Sequence, residues 1–374
     1  MRYDVAVIGL GAAGSAALYA LARRGARVIG IERFAPGHDR GSSHGQTRII
    51  RLGYFEHPSY VPLLRATYAR WRELERAASR KLMHVTGIVE IGQPDSELVA
   101  GTLAASRQHD LPHEILNAAA TMRRFPAFRI PDSFIGVFQP DGGFLDVEPA
   151  LETMIALAKS AGAEMHIKTA AGSVASNSTG VRIETANGLV EADTAIVAAG
   201  PWLKNLLPDL AAPLRVTRQV QAWFEPTDST LFTADRFPVF LIETRHGQHY
   251  GFPPHAGSGV KVAKHHHADQ TVDPDHVDRN VGDADLALIR PALADHIPAA
   301  NGKLLAATTC LYTVTPDRDF IVDRRPRHPS IIVASPCSGH GFKFAPVMGD
   351  ILADLAMSGT TSHDISRFRI DRFG

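Results

Sequence analysis

The sequence predicts a mixed α/β fold. A parallel-sheet domain is entered by the chain three times, and a mostly antiparallel sheet flanked by helices is inserted between the visits. Three observations carry this. Residues 5–32, VAVIGLGAAGSAALYALARRGARVIGIE, read strand, glycine turn, helix, strand. Residues 195–202 form a second buried strand that ends in Ala-Ala-Gly-Pro-Trp. From about 214 to 265 the pattern changes to successive strands, VTRQVQAWFEP, VFLIET, HYGFPP and GVKVAKHH, at antiparallel spacing.

The opening stretch is a dinucleotide fingerprint in its full context. Gly9 permits the tight turn, Gly11 lets a pyrophosphate approach the backbone, and Gly14 lets helix and strand pack closely. The helix start at Ala12 and Ala13 offers free amides and a positive dipole end to phosphates. Glu32, followed by Arg33, stands where a carboxylate takes ribose hydroxyls, which disfavours a 2′-phosphate and so NADP. The motif alone does not separate FAD from NAD, and a glycine-rich turn that binds nothing shares its spacing.

The remaining elements follow in order. The first βαβ unit covers 3–33, and the polar, Gly/Ser-rich stretch 37–51 reads as a loop. An amphipathic helix over 57–79 lines up Tyr60, Leu63, Leu64, Tyr68, Trp71 and Leu74. Strands are expected at 84–92 and 135–139, and a helix at 147–161 with Pro149 in its first turn and Gly162 beyond its end. Residues 164–169 read as a strand, and Asn187-Gly188 as a hairpin turn. A helical stretch near 283–293, a strand at 331–336 and a helix over 341–357 complete the chain. The nucleotide domain is thus assigned 1–83, 147–212 and 319–374, and the substrate domain 84–146 and 213–318.

Composition excludes several classes. With 374 residues the chain can bury one large or two modest cores. Its 39 basic and 39 acidic residues cancel, so no global field favours nucleic acid or an anionic membrane. No apolar run spans a bilayer, and the start MRYDVAVIG reads as a buried strand, not a signal peptide. Two cysteines argue against a disulfide scaffold and for a reducing, cytoplasmic compartment. The run His265–His267 lacks metal-ligand spacing and reads mostly as a solvated strand end, so no metal is expected.

Five motifs in order, GSSHGQTRIIR (41–51), VAAGPW (197–202), YGFP (250–253), CLYT (310–313) and CSGHGFKF (337–344), resemble the monomeric sarcosine oxidase and N-methyltryptophan oxidase family, with its D-amino-acid-oxidase-like fold. The resemblance runs from residue 4 to about 370. It implies a Rossmann-like FAD-binding domain, and FAD attached covalently through Cys310 of CLYT. Read alone, Cys310 is better explained as a small buried filler, the role expected of Cys337. The implied cofactor contacts are Gly9, Gly11, Ala12, Ala13, Gly14, Glu32 and Arg33 in the fingerprint; Ser43 and Arg48; Val174 and Gly200; Cys310; and Gly339, His340, Gly341 and Lys343.

For catalysis the resemblance implies a secondary amino acid whose carboxylate is held by Arg51 and Lys343, with Arg48 against the flavin ring. An arginine fork suits a carboxylate. The Arg-Ile-Ile-Arg alternation by itself fits a strand edge with solvated arginines. Lys261 is implied near the reacting edge, where a cation favours charge developing on oxygen, while strand alternation turns Lys264 away to solvent. Tyr250 and His265 are implied as pocket walls. The reaction implied is oxidation of a neutral amine to an imine, with oxygen reduced to hydrogen peroxide, by a monomer with no nucleic-acid or membrane partner. Leu18, His249 and the segment LIETRHGQ depart from the family pattern and leave the substrate open among sarcosine, N-methyltryptophan, pipecolate, proline-like and sugar-modified amino acids. Two other readings compete: a dehydrogenase that passes electrons to another acceptor, and a nucleotide-binding protein without turnover.

Overall fold

The computed structural model describes residues 2–208, 214–233 and 235–373. Its first sheet is built on the strand Arg2–Ile8, which pairs in parallel with Val28–Ile31 on one side and Gly188–Val197 on the other. Glu164–His166 extends the first flank, and His328–Ser335 runs parallel to Ala195–Val197 on the second. Ala171–Asn177 and Gly180–Thr185 add an antiparallel hairpin, and Ile321–Arg325 an antiparallel edge. This eight-stranded sheet therefore collects strands from 2–31, 164–197 and 321–335. The boundary drawn at 212/213 lies outside the described residues.

Helix Ala12–Ala22 covers one face of this sheet and meets helix Ala345–Ser358, so the two ends of the chain pack on each other. Small residues make the approach possible: a Cβ on Gly349 would stand 2.6 Å from the carbonyl oxygen of Ala16. Gly30 serves the same end at the sheet, since Leu10 and Leu18 already lie 3.0 and 3.2 Å from where its Cβ would be. Leu18, a departure from the family pattern, is accommodated in this way.

The second sheet also has eight strands, in the order Leu304–Val314, Arg215–Phe224, Val260–Lys264, Gly247–Phe252, Val239–Thr244, Ile88–Gly92, Ile135–Gln139, Glu114–Asn117. Every pairing is antiparallel except that of Val239–Thr244 with Ile88–Gly92. A three-stranded sheet of Thr47–Ile50, Gly143–Asp146 and Met83–Val85 is separate from both larger sheets.

Several elements differ from the sequence reading for local reasons. The stretch 37–51 is a loop only to Gln46, because 47–50 pairs with 143–146. The strand expected over 84–92 breaks at Gly87, whose φ of +74° turns the chain from the small sheet to the large one. The helix expected from 57 begins as a 3₁₀ turn at Pro58–Tyr60 and runs as Val61–Ala78; Tyr60, Leu63, Leu64, Tyr68, Trp71 and Leu74 are buried as expected. Residues 164–169 form a strand only over Glu164–His166. The stretch 283–293 is two short helices, Asp283–Leu286 and Arg290–His296, with Pro291 at the start of the second. The helix expected over 341–357 opens with the 3₁₀ turn Phe342–Phe344. Helices Glu97–Gln108 and Ala118–Arg124 were not read from the sequence; both are short and start on a polar cap, Ser96 and Asn117.

The crossing of the terminal helices is testable. Gly349→Ala should force them apart, lower stability by about 1–3 kcal/mol and weaken cofactor retention, because the displaced helix begins at the phosphate-binding turn. Urea unfolding and cofactor content after gel filtration measure both, and an unchanged midpoint would refute the account.

Candidate active site

One cavity of about 390 Å³ runs from the fingerprint turn to the far edge of the first sheet, under the second sheet. At one end the buried carboxylate of Glu32 accepts from the amides of Leu10 (2.7 Å) and Phe34 (2.8 Å). Gly9 turns with φ +89° against Ala198, where any Cβ would collide with a carbonyl oxygen at 2.5 Å. Gly11 caps the helix without a side chain, and the nearest atom to a Cβ there is Ser43 Oγ at 3.5 Å. The first-turn amides therefore face open space, apart from Ala12 N, which donates to Ser43 Oγ at 3.2 Å. This open cradle, the acid beyond it and the length of the cavity fit a dinucleotide.

Cations gather at the other end. Arg48 lines the cavity, and its guanidinium donates to the carbonyls of Ser42 and Thr47, both at 2.9 Å. Arg51, fully buried, donates to Gly53 O (2.7 Å) and to both carboxylate oxygens of Glu56 (2.9 and 2.7 Å). Glu90 stands behind it, 3.6 Å from Nη1. Burial alone would pull the arginine's pKa down, but Glu56 and Glu90 outweigh it and hold it up. Glu90 itself is pushed up to about 7 by burial, against the pull of Arg51. Gln139 bridges the group, donating to Glu90 at 2.5 Å and accepting from Gly53 N at 2.7 Å.

Lys343 arrives on the 3₁₀ turn before the C-terminal helix. Its ammonium donates to His340 O (2.7 Å) and reaches Tyr54 Oη at 3.4 Å. Burial, then the nearby Arg51, lowers its pKa to about 7, with Glu56 opposing. His340 faces Arg318 O through Nε2 (2.9 Å), so that nitrogen carries the proton and Nδ1 accepts from Tyr54 Oη (2.6 Å). The ring is held neutral, its pKa lowered by burial to about 4. Gly339 has φ +87°, and a side chain there would strike Tyr312 and His265.

Most of the sequence-assigned residues share this one wall: Gly9, Gly11, Ala12, Ala13, Glu32, Arg33, Ser43, Arg48, Arg51, Gly200, Tyr250, His265, Gly339, His340, Gly341 and Lys343. Four do not. Gly14 lies a turn deeper, its would-be Cβ 1.8 Å from Gly9 O, so it packs rather than contacts. Val174 is on the outer hairpin, packed on the core, and Thr169–Gly172 line the cavity in its place. Cys310 is buried behind the wall, and its sulfur accepts from Gln221 Nε2 at 3.1 Å. Lys261 is also behind the wall, donating to Gly45 O (2.5 Å), Thr47 O (2.9 Å) and Thr47 Oγ1 (3.3 Å). Burial, reinforced by Arg48, drives its pKa well down.

Other expectations need correction. Cys337 is not merely a buried filler: it is half-buried on the cavity wall, beside Pro336. The run 265–267 is not a solvated end. His265 faces the cavity, and His267 is buried with Nε2 3.0 Å from Asp285. The solvated cation expected at Lys264 is only half exposed, packed over Gly247. His249 turns away and meets Leu288 O at 3.0 Å, so of that departing segment Leu241 and not His249 shapes the wall. Sequence reasoning missed Glu56 and Glu90. The signal available for Glu56 was an acid five residues after an arginine; Glu90, in an apolar strand, announced only that a buried charge needs a partner.

A nucleotide-binding parallel sheet, a capping antiparallel sheet and a cavity joining them define the class of two-domain flavoenzymes. The chain belongs to the FAD dependent oxidoreductase family, which matches residues 4–355, and it is an FAD-dependent amine or amino acid oxidase. It is 42% identical to a monomeric sarcosine oxidase of Streptomyces avermitilis over 98% of this chain and 96% of that one. It is 38% identical to an N-methyl-L-tryptophan oxidase of Salmonella typhi over the whole of both. Among solved structures, the open form of NikD, an amino acid oxidase of nikkomycin biosynthesis, aligns with a TM-score of 0.87 at 28% identity, covering 98% and 97% of the two chains. No helix among the described residues is long and apolar enough to cross a membrane.

Lys343 gives the site a pH signature. Its ammonium is present below pH about 7 and lost above it, so a bound carboxylate is held more weakly as pH rises. The affinity for a simple carboxylate such as acetate, read from perturbation of the flavin band, should fall above pH about 7 by up to tenfold per unit until Arg51 alone holds the anion. Lys343→Met should flatten that slope.

Proposed function

We propose that the enzyme oxidises a secondary amino acid with a free carboxylate to its imine, with oxygen as acceptor and hydrogen peroxide as product. The observation that carries this is the convergence of Arg51 and Lys343 on one end of a cavity whose other end is a dinucleotide cradle. When bound, FAD supplies the two-electron acceptor for the substrate C–H and N lone pair.

The chain's own groups orient and hold charge. Arg51 offers a planar fork to a carboxylate once Glu56 yields it, and Lys343 adds a second cation. Tyr250, His265 and Leu241 form the wall beside them and exclude water. The amine has to lose its proton before it can react, and the cations at this end favour that loss. We keep Lys261, hydrogen-bonded beneath the Gly45–Thr47 backbone, as the group that favours reduction of oxygen, by taking up a proton as negative charge develops nearby. Relatives named as sarcosine and N-methyltryptophan oxidases support small N-methyl amino acids as first candidates. We also assign the enzyme to the cytoplasm, on its two unpaired cysteines, and to the monomeric state, on its likeness to a relative named monomeric sarcosine oxidase.

Cys310 is our choice for covalent attachment. Burial pushes its thiol pKa up, and the cavity-lining Arg48 and then Gln221 and Lys261 draw it back toward the thiolate. Cys337 is a second reading, favoured by its place on the wall.

Two outcomes test this. An anaerobic screen of N-methyl and cyclic amino acids should bleach the oxidised flavin band, and peroxide should appear in air. Arg51→Ala should cut kcat/KM at least about a hundredfold, since a substrate carboxylate would then meet the uncompensated charge of Glu56 with no guanidinium between them. Bleaching by no secondary amino acid would sink the reading. For attachment, colour should stay with acid-precipitated wild type and leave Cys310→Ala; retention there, with loss in Cys337→Ala, would transfer the role to Cys337.

A further inference from the structure

The sequence gives no metal-ligand spacing, yet three segments far apart in the chain bring His84, Asp146 and His255 together. His84 Nε2 lies 2.8 Å from Asp146 Oδ2, and His255 Nε2 lies 2.8 Å from Oδ1 of the same carboxylate. All three sets of ligand-type atoms fall within 4.8 Å of one another. Both imidazoles brace on one ring: His84 stacks on Phe144 at 4.7 Å between centroids, and His255 meets its edge at 4.8 Å.

The backbone under each group is fixed. His84 pairs with Phe144 and Asp146 with Thr47 in the three-stranded sheet. His255 lies in the turn after Gly247–Phe252; its carbonyl accepts from Ser258 Oγ (2.7 Å) and Gln46 Nε2 (3.2 Å). The side chains keep 25%, 14% and 24% of their exposure, so an ion and its waters can enter. None of the three lines the flavin cavity.

We propose that His84, Asp146 and His255 form a binding site for one divalent cation of the zinc class, completed by water. Two imidazole nitrogens and one carboxylate are a donor set for borderline cations, whereas calcium and magnesium take oxygen ligands. Around an ion with bonds of about 2.0–2.1 Å, neighbouring donors stand roughly 3.3 Å apart. The carboxylate-to-imidazole spacings need only open by about half an ångström, within side-chain rotation. In the bound state each imidazole carries its proton on Nδ1 and presents a bare Nε2 to the ion; no redox change is involved. The ion ties the 253–259 turn to the small sheet, next to the Gly45–Thr47 backbone on which Lys261 rests. The role is structural.

Flavin-loaded enzyme, stripped with EDTA and equilibrated with zinc, decides this by metal analysis and thermal unfolding. Wild type should take up one zinc per flavin, with a Tm that rises with zinc concentration. His84→Ala/His255→Ala should keep its flavin and lose at least about tenfold in zinc affinity. If wild type takes up no zinc, or the double variant takes up as much, the proposal fails: the trio is then a hydrogen-bonded clamp, or the metal sits elsewhere, as at His265–His267. Should the double variant not fold, Asp146→Asn is read in the same way. Cobalt(II) titration of wild type followed by NMR gives an independent answer, since absence of paramagnetically shifted histidine signals overturns the site.

Discussion

The rest of the site depends on keeping Arg51 charged where water is excluded. A buried guanidinium is tolerated only if its donors are met and its charge is balanced. Here Gly53 O takes one arm and Glu56 the other, and Glu90 stands behind at 3.6 Å. Glu90 is held in turn by Gln139, which also accepts the amide of Gly53. One closed ring of contacts thus links the cavity-lining Arg51, the loop after it and two strands of the second sheet. Lys343 lacks a comparable carboxylate at contact distance and makes its bonds to a carbonyl and a phenol, which is why burial moves its pKa so far down while Arg51 stays up.

A second constraint is geometric. The first and last helices of the chain pack on each other, and that contact needs Gly349 over Ala16. The first helix starts at the fingerprint turn and the last follows directly on Phe342 and Lys343, and both starts line the cavity. Their packing therefore sets the spacing between the fingerprint turn and Lys343. The small three-stranded sheet fixes the middle, since it carries both Arg48 and the segment under which Lys261 is hydrogen-bonded.

How much of this was legible in the sequence differs by the kind of signal. The fingerprint turn was readable because Gly9 and Gly14 answer close backbone approaches that only glycine meets, while Gly11 leaves the helix start without a side chain. The strands of 214–265 were readable because apolar and β-branched runs bounded by turn residues are a local signal too, although their burial is nearly continuous and does not alternate. Breaks within runs were not: Gly87 splits an apparently continuous strand by changing sheets, a tertiary fact. That Val174, Cys310 and Lys261 stand off the cavity wall was not readable, because a strand pattern tells which face a residue is on, and not how many atoms lie between that face and the cavity. His267 was read as part of a solvated strand end and is buried, since a histidine with a carboxylate partner is cheap to bury. Glu90 could not be assigned a partner without the fold, for Gln139 and Arg51 are distant in the chain.

The pairing of Arg51 with Glu56 has a consequence for substrate choice. Glu56 presents both oxygens to the fork, the contact a substrate carboxylate would otherwise make. Binding is then an exchange of one carboxylate for another, and the Coulomb gain from Arg51 largely cancels. What remains is the difference between the sites left and entered. Glu56 also feels His340 and Lys343, so its departure removes negative charge from beside two groups that the incoming carboxylate must satisfy in its place. A ligand that engages Arg51 alone gains little; one that spans Arg51 and Lys343 while filling the wall of Leu241, Tyr250 and His265 gains the second cation and the apolar burial together.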